Sequence, residues 1–162
     1  MKVLRNASLM CTVLFALPAC APRAADTAAD AATIKADAPV WFTKYNGGDA
    51  DGVAALYADD GVVLAPGAPM AVGRAAIRDF IAADIATSKA AGVTLKGDEV
   101  KDVGVAGETA WITGAFSAAD ASGATVDKGK YLAVYRRANG KWLIIRDIWN
   151  SDMPPAAAGA RQ

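Results

Sequence analysis

The sequence predicts an α+β fold, a cone-shaped curved antiparallel sheet packed on three N-terminal helices, and three observations carry that expectation. Apolar residues recur at helical spacing through the first half: Ile34, Trp41 and Tyr45 share one face, and Ile77, Phe80, Ile81 and Ile85 share another. From about Val93 the pattern changes to the two-residue period of strands. Asn139-Gly140 separates the last two strand-like runs, and Asn-Gly supplies the positive-φ pair that a two-residue hairpin turn needs. Helices followed by an antiparallel meander segregate to one face of the sheet.

In chain order, the first helix runs through Ile34 and Tyr45 and is stopped by Asn46-Gly47-Gly48. Pro39 lies within it, so the helix either kinks there or restarts with Asp37 as N-cap and Pro39 in the first turn. Asp49 or Asp51 caps a second helix, with Val53, Leu56 and Tyr57 as its apolar stripe and Asp59-Asp60-Gly61 as its end. Val62-Val63-Leu64 is a short strand stopped by Pro66-Gly67, and a third helix follows Gly73, with Arg74, Arg78, Asp79 and Asp84 facing out or flanking its seam. Four strands are expected at 93–105, 109–117, 126–136 and 141–150. On the last, alternation puts Leu143, Ile145, Asp147 and Trp149 on one face and Ile144, Arg146, Ile148 and Asn150 on the other, unless a bulge intervenes.

The flanks have a different composition. Lys2 and Arg5 precede the apolar run from Leu9 to Leu17, followed by Pro18, Ala19 and Cys20, the order of an export signal. That run is far shorter than the roughly 20 apolar residues that span a bilayer, so residues 1–19 read as a cleaved signal peptide. Leu17-Pro18-Ala19-Cys20 resembles the bacterial lipobox, which implies lipidation of Cys20 and attachment to a membrane through its acyl chains. Ala21 and Pro22 offer no Asp directly after Cys20, the feature that resembles an inner-membrane retention signal, so the expected location is the cell envelope, at the outer membrane facing the periplasm. Residues 20–32 read as a flexible tether and 153–162 as a disordered tail, leaving 33–152 as one domain.

With Cys11 in the signal and Cys20 at the lipid site, the domain has no cysteine pair and must hold by its core. The chain has 17 basic and 17 acidic residues, and losing Lys2 and Arg5 leaves a balance of about −2. A nucleic-acid partner, which rewards a basic face, is not expected. The chain has 0 His, which removes the commonest general base and the commonest transition-metal ligand. Neither a metal nor a cofactor is expected.

Four blocks occur in order: Trp41-x3-Tyr45-Asn46-x2-Asp49, Ala55-Leu56-Tyr57-Ala58-Asp59-Asp60-Gly61-Val62-Val63-Leu64, Gly73-Arg74-Ala75-Ala76-Ile77, and Gly140 to Asn150. Over about Ile34 to Asp152 they resemble the nuclear transport factor 2-like superfamily, in its SnoaL-like, ketosteroid-isomerase-like branch. The resemblance implies a cystatin-like roll, a fold that hosts isomerases, hydrolases, dehydratases and non-enzymatic binding or assembly domains. It also implies a test. The isomerase pattern places its carboxylate base after a tyrosine-alanine-aspartate-aspartate stretch, and on Tyr57-Ala58-Asp59-Asp60 that position falls at Ala65, whose methyl group takes no proton.

The residues leave three readings. The first is a cone that binds a small apolar molecule, with Trp41, Tyr45, Tyr57, Trp111, Tyr131 and Trp149 as pocket candidates, because ligand sites are mostly apolar and aromatic. The second is an enzyme using an Asp, Arg or Tyr site, with Asp147, Tyr131 and Arg146 as candidates. The third is an envelope scaffold in which two cones pair through the open sheet face as a homodimer. Asp147 with Trp149 is expected inside the pocket, and Asp59-Asp60 as a solvated turn.

Overall fold

The computed structural model describes residues 27–154. Residues 1–19, read as a signal peptide, and Cys20, read as the lipid site, lie outside the described residues. Three helices, α1 (Thr27–Gly47), α2 (Ala50–Ala54) and α3 (Arg74–Ala90), pack on a curved sheet of six strands. The strands are β1 (Tyr57–Leu64), β2 (Ala71–Val72), β3 (Thr94–Ala106), β4 (Thr109–Ala119), β5 (Thr125–Ala138) and β6 (Lys141–Ser151). Their order is β2-β1-β6-β5-β4-β3, with β3 to β6 an antiparallel meander and β1 parallel to β6.

The first helix is continuous through Pro39 and does not restart there. It also begins at Thr27, so residues 27–32, read from sequence as tether, are helical. Composition alone missed their anchor. Asp30 pairs with the Arg137 guanidinium and accepts a hydrogen bond from Trp142 Nε1 at 3.4 Å, holding the first turn of α1 against the β5–β6 hairpin. Alanine at six positions from 28 to 38 makes the segment a ready helix former. At the other end Asn46 reaches the edge strand: its Nδ2 donates to Leu95 O at 2.6 Å and its Oδ1 accepts from Leu95 N at 3.0 Å.

α2 is shorter than the sequence predicts. Asp49 caps it by accepting from Gly52 N at 2.7 Å, but the helix stops at Ala54 and Tyr57 already belongs to β1, opposite Ile144. Asp59 and Asp60 are therefore strand residues. Both are solvent-exposed and ion-paired, Asp59 with Arg74 at 3.0 Å and Asp60 with Arg136 at 2.6 Å. The β5–β6 turn is the expected one, with Asn139 at φ 51° and Gly140 at φ 76°.

The core lies between helices and sheet. Ile34, Ile77, Ile81 and Ile112 are essentially fully buried there, and each contributes roughly 1.5–3 kcal/mol relative to an exposed side chain. No helix among the described residues is long and apolar enough to cross a membrane.

Candidate ligand cavity

Between α1, α3 and the inner face of the sheet lies a cavity of ≈ 320 Å³. What faces it on β6 is decided by a bulge. Tyr135 pairs with Ile144 and Val134 with Arg146, so one extra residue, Ile145, is inserted between them. Strict alternation would put Ile144 with Arg146; instead Trp142, Ile144, Asp147 and Trp149 all line the cavity. Asp147 is inside with Trp149, as expected. Arg146 points away, its Nη1 donating to the Ile145 carbonyl at 2.5 Å, and is not part of this site.

Asp147 is 7 % exposed, the one buried charged residue among those described. Tyr57 O–H donates to its Oδ2 at 2.5 Å, and Trp41 Nε1–H donates to the Tyr57 oxygen at 3.0 Å. Its other oxygen, Oδ1, makes no hydrogen bond to the described residues. Burial raises the Asp147 pKa to about 6 despite the Tyr57 hydrogen bond, which favours the ionised form. Burial, and then the neighbouring Asp147 charge, push Tyr57, Tyr131 and Tyr135 above the ordinary phenol value, so all three remain neutral donors.

The aromatic wall comes mainly from α1 and β5. Trp41 and Tyr45 stack at 5.2 Å and 12°, and Phe42 meets Tyr131 edge-on at 6.2 Å. Gly114 lies directly opposite Tyr131, and a Cβ there would come within 2.5 Å of the tyrosine oxygen. Glycine at that position lets the ring lie across the strand. Tyr45 O–H donates to Asp84 Oδ2 at 2.6 Å and lies 2.8 Å from Ser88 Oγ, tying α1 to α3 at the cavity wall.

Of the six aromatic pocket candidates, Trp41, Tyr45, Tyr131 and Trp149 line the cavity. Tyr57 does not: it is 0 % exposed and stands behind the wall, holding Asp147. Trp111 is on the opposite face of the sheet, 37 % exposed, with Nε1 donating to Asp102 at 2.8 Å. Its neighbours Ala110 and Ile112 take the inward positions on β4, and the ring covers Gly104 of β3 instead. Sequence reasoning missed Phe42, Asp84, Tyr135 and Trp142 in the lining. Tyr135 was recoverable, since it is four residues from Tyr131 on the same strand face. Asp84 was not, because its tyrosine partner is 39 residues away.

Chemically, the cavity is an apolar, aromatic chamber with one buried carboxyl that is able to change protonation near neutrality and tyrosine hydroxyls beside it. Such a carboxyl accepts a proton or a hydrogen bond above about pH 6 and donates below it. No cluster of three or more His, Cys, Asp or Glu able to hold a metal ion occurs among the described residues.

The family model described as SnoaL-like domain matches residues 40–145. No curated protein matches the chain. Among solved structures, a ketosteroid isomerase-like protein from Erwinia carotovora atroseptica is 26% identical, with a TM-score of 0.62 over 77% of this chain and 98% of the other. An NTF2-like protein with a cystatin-like fold from Novosphingobium aromaticivorans is 23% identical, with a TM-score of 0.65 over 81% of this chain and 90% of the other. A putative calcium/calmodulin dependent protein kinase II association domain from Xanthomonas campestris is 23% identical, with a TM-score of 0.61 over 92% of this chain and 100% of the other. The last two speak to the fold alone.

Proposed function

The chain belongs to the SnoaL-like domain family, and from that premise we propose that it is an envelope lipoprotein whose cone binds a small, largely apolar molecule. The observation that carries the reading is the aromatic-walled cavity with Asp147 as a buried polar group beside it. Cys20 is the lipid site in this reading, and the lipid holds the protein at the outer membrane, facing the periplasm. The support for that location is the order of Lys2, Arg5, the apolar run from Leu9 to Leu17 and Cys20.

Native mass spectrometry tests the binding reading. The Cys20→Ser chain, exported by its own leader, is exposed to an extract of the source cell. A discrete small-molecule adduct is the expected result, and a chain that stays empty with and without extract would sink the reading.

A second reading, an enzyme of proton transfer, is favoured by one feature: a buried carboxyl with a pKa of about 6 next to neutral tyrosines. Asp147 would take a proton from the bound molecule while a tyrosine hydroxyl donates to the oxygen where charge develops. Arg146, whose Nη1 donates to the Ile145 carbonyl, has no part in this reading. Turnover of the captured molecule that Asp147→Asn abolishes even at concentrations that saturate the variant would establish this reading over simple binding.

A homodimer paired through the outer sheet face is also proposed. Trp111, Leu132 and Ile148 are exposed there at 37%, 38% and 40%. Leu132 and Ile148 are direct cross-strand neighbours, so they form one apolar patch.

A further inference from the structure

Apart from aromatic and aliphatic groups, the cavity lining is dominated by carboxylates. Asp37 of α1, Asp84 of α3, Asp127 of β5 and Asp147 of β6 all line it, and no Lys or Arg does so among the described residues. The chain as a whole has equal numbers of acidic and basic residues, so this one-sided charge belongs to the cavity and not to overall composition. Asp147, Tyr131 and Tyr135 there still have capacity for a partner. Asp147 uses only Oδ2 toward Tyr57. Tyr135, 7 % exposed, makes no hydrogen bond through its hydroxyl to the described residues. Around them stand the ring faces of Trp41, Phe42, Tyr131 and Trp149.

Asp147 is buried, Asp84 and Asp127 are partly buried and Asp37 is exposed at the margin. Carboxylates of one sign around an apolar chamber concentrate negative potential and disfavour an anionic guest, while ring faces attract a cation through their quadrupoles. We propose that the molecule held in the cavity is a cation, a protonated amine or quaternary ammonium carried on an apolar ring-bearing body. The proposal rests on the binding reading above and adds the charge of the ligand. The ammonium lies against Asp147 Oδ1 and the Tyr135 oxygen, and the body fills the aromatic end.

Three probes that share one fused-ring body separate the possibilities: 2-naphthylmethylamine, 2-naphthylmethanol and 2-naphthoate, each titrated calorimetrically into the Cys20→Ser chain at pH 7.5. The amine is expected to bind roughly tenfold more tightly than the alcohol, and the carboxylate least of all. Asp147→Asn is expected to bring the amine down to the alcohol's affinity while leaving the alcohol unchanged. If that variant does not give a cooperative thermal transition, Asp84→Asn replaces it and should shift the amine in the same direction by a smaller factor. An alcohol or carboxylate that binds as tightly as the amine overturns the charge assignment and leaves the binding reading standing. No heat from any of the three overturns both.

Discussion

Replacing Asp147 by Asn should make the protein more stable at neutral pH, and the size of the gain follows from burial. The unfolded carboxyl titrates near 3.8, whereas in the folded chain its pKa is about 6. Over the interval between, the folded protein keeps a proton that the unfolded one has released. The stability associated with neutral Asp147 is thus fully present below about pH 4 and lost as pH rises through 6. One pKa unit corresponds to about 1.36 kcal/mol, so the ionised group costs about 3 kcal/mol at pH 7.5. Asparagine mimics the neutral acid and retains an oxygen for the Tyr57 O–H. Urea unfolding of wild type and Asp147→Asn from pH 4 to 8 checks this. The difference between the two should be near zero at pH 4, open between 4 and 6, and level off at about 3 kcal/mol, a gain in Tm of roughly 10 °C. Exposed carboxylates with lowered pKa, such as Asp60 beside Arg136, lose their contribution as pH falls, but they do so equally in both proteins. A difference that is flat across this range, or a variant less stable at pH 8 than at pH 5 relative to wild type, would refute the reasoning.

Three further outcomes are expected. Asp30→Ala should cost about 1–2 kcal/mol, since it leaves a half-buried Arg137 with only the longer Glu108 pair and the Trp142 ring, and should increase amide exchange over residues 27–32. Leu132→Glu should leave chemical stability within about 0.5 kcal/mol while converting a dimer to a monomer in sedimentation; a wild-type monomer would end the dimer proposal. Cys20→Ser should move the protein from the membrane pellet to the soluble fraction after cell lysis, and unchanged fractionation would count against lipidation there.

Features with a local cause were legible in the sequence. Asn139-Gly140 dictates its turn by backbone conformation alone, and the Ile77, Ile81, Ile85 stripe of α3 is a property of one helix. The identity of β1 was not legible, because Tyr57 continues the helical spacing of Val53 and Leu56 until its partner Ile144 claims it for the sheet. Alternation also gives parity but not sign: that Trp111 and Ile112 face opposite ways was readable, but which one turns inward depended on Ala110 and the helices above it. The Tyr57–Asp147 contact joins residues 90 apart in the chain, and no pattern within either segment announces it.

The inserted Ile145 makes β6 tolerant of shortening at one position and intolerant nearby. Residues 142 and 144 on one side of it, and 147 and 149 on the other, reach the same chamber only because their positions differ in parity. Deleting Ile145 removes the bulge and restores strict alternation, with Ile144 in, Arg146 out and Asp147 in, so the chamber keeps its acid and both tryptophans. Deleting Ile148 instead makes Asp147 and Trp149 neighbours, which alternation sends to opposite faces, so the chamber keeps one and loses the other. The strand thus carries one spare residue, and the same one-residue loss is silent at that position but changes the lining of the chamber three positions later.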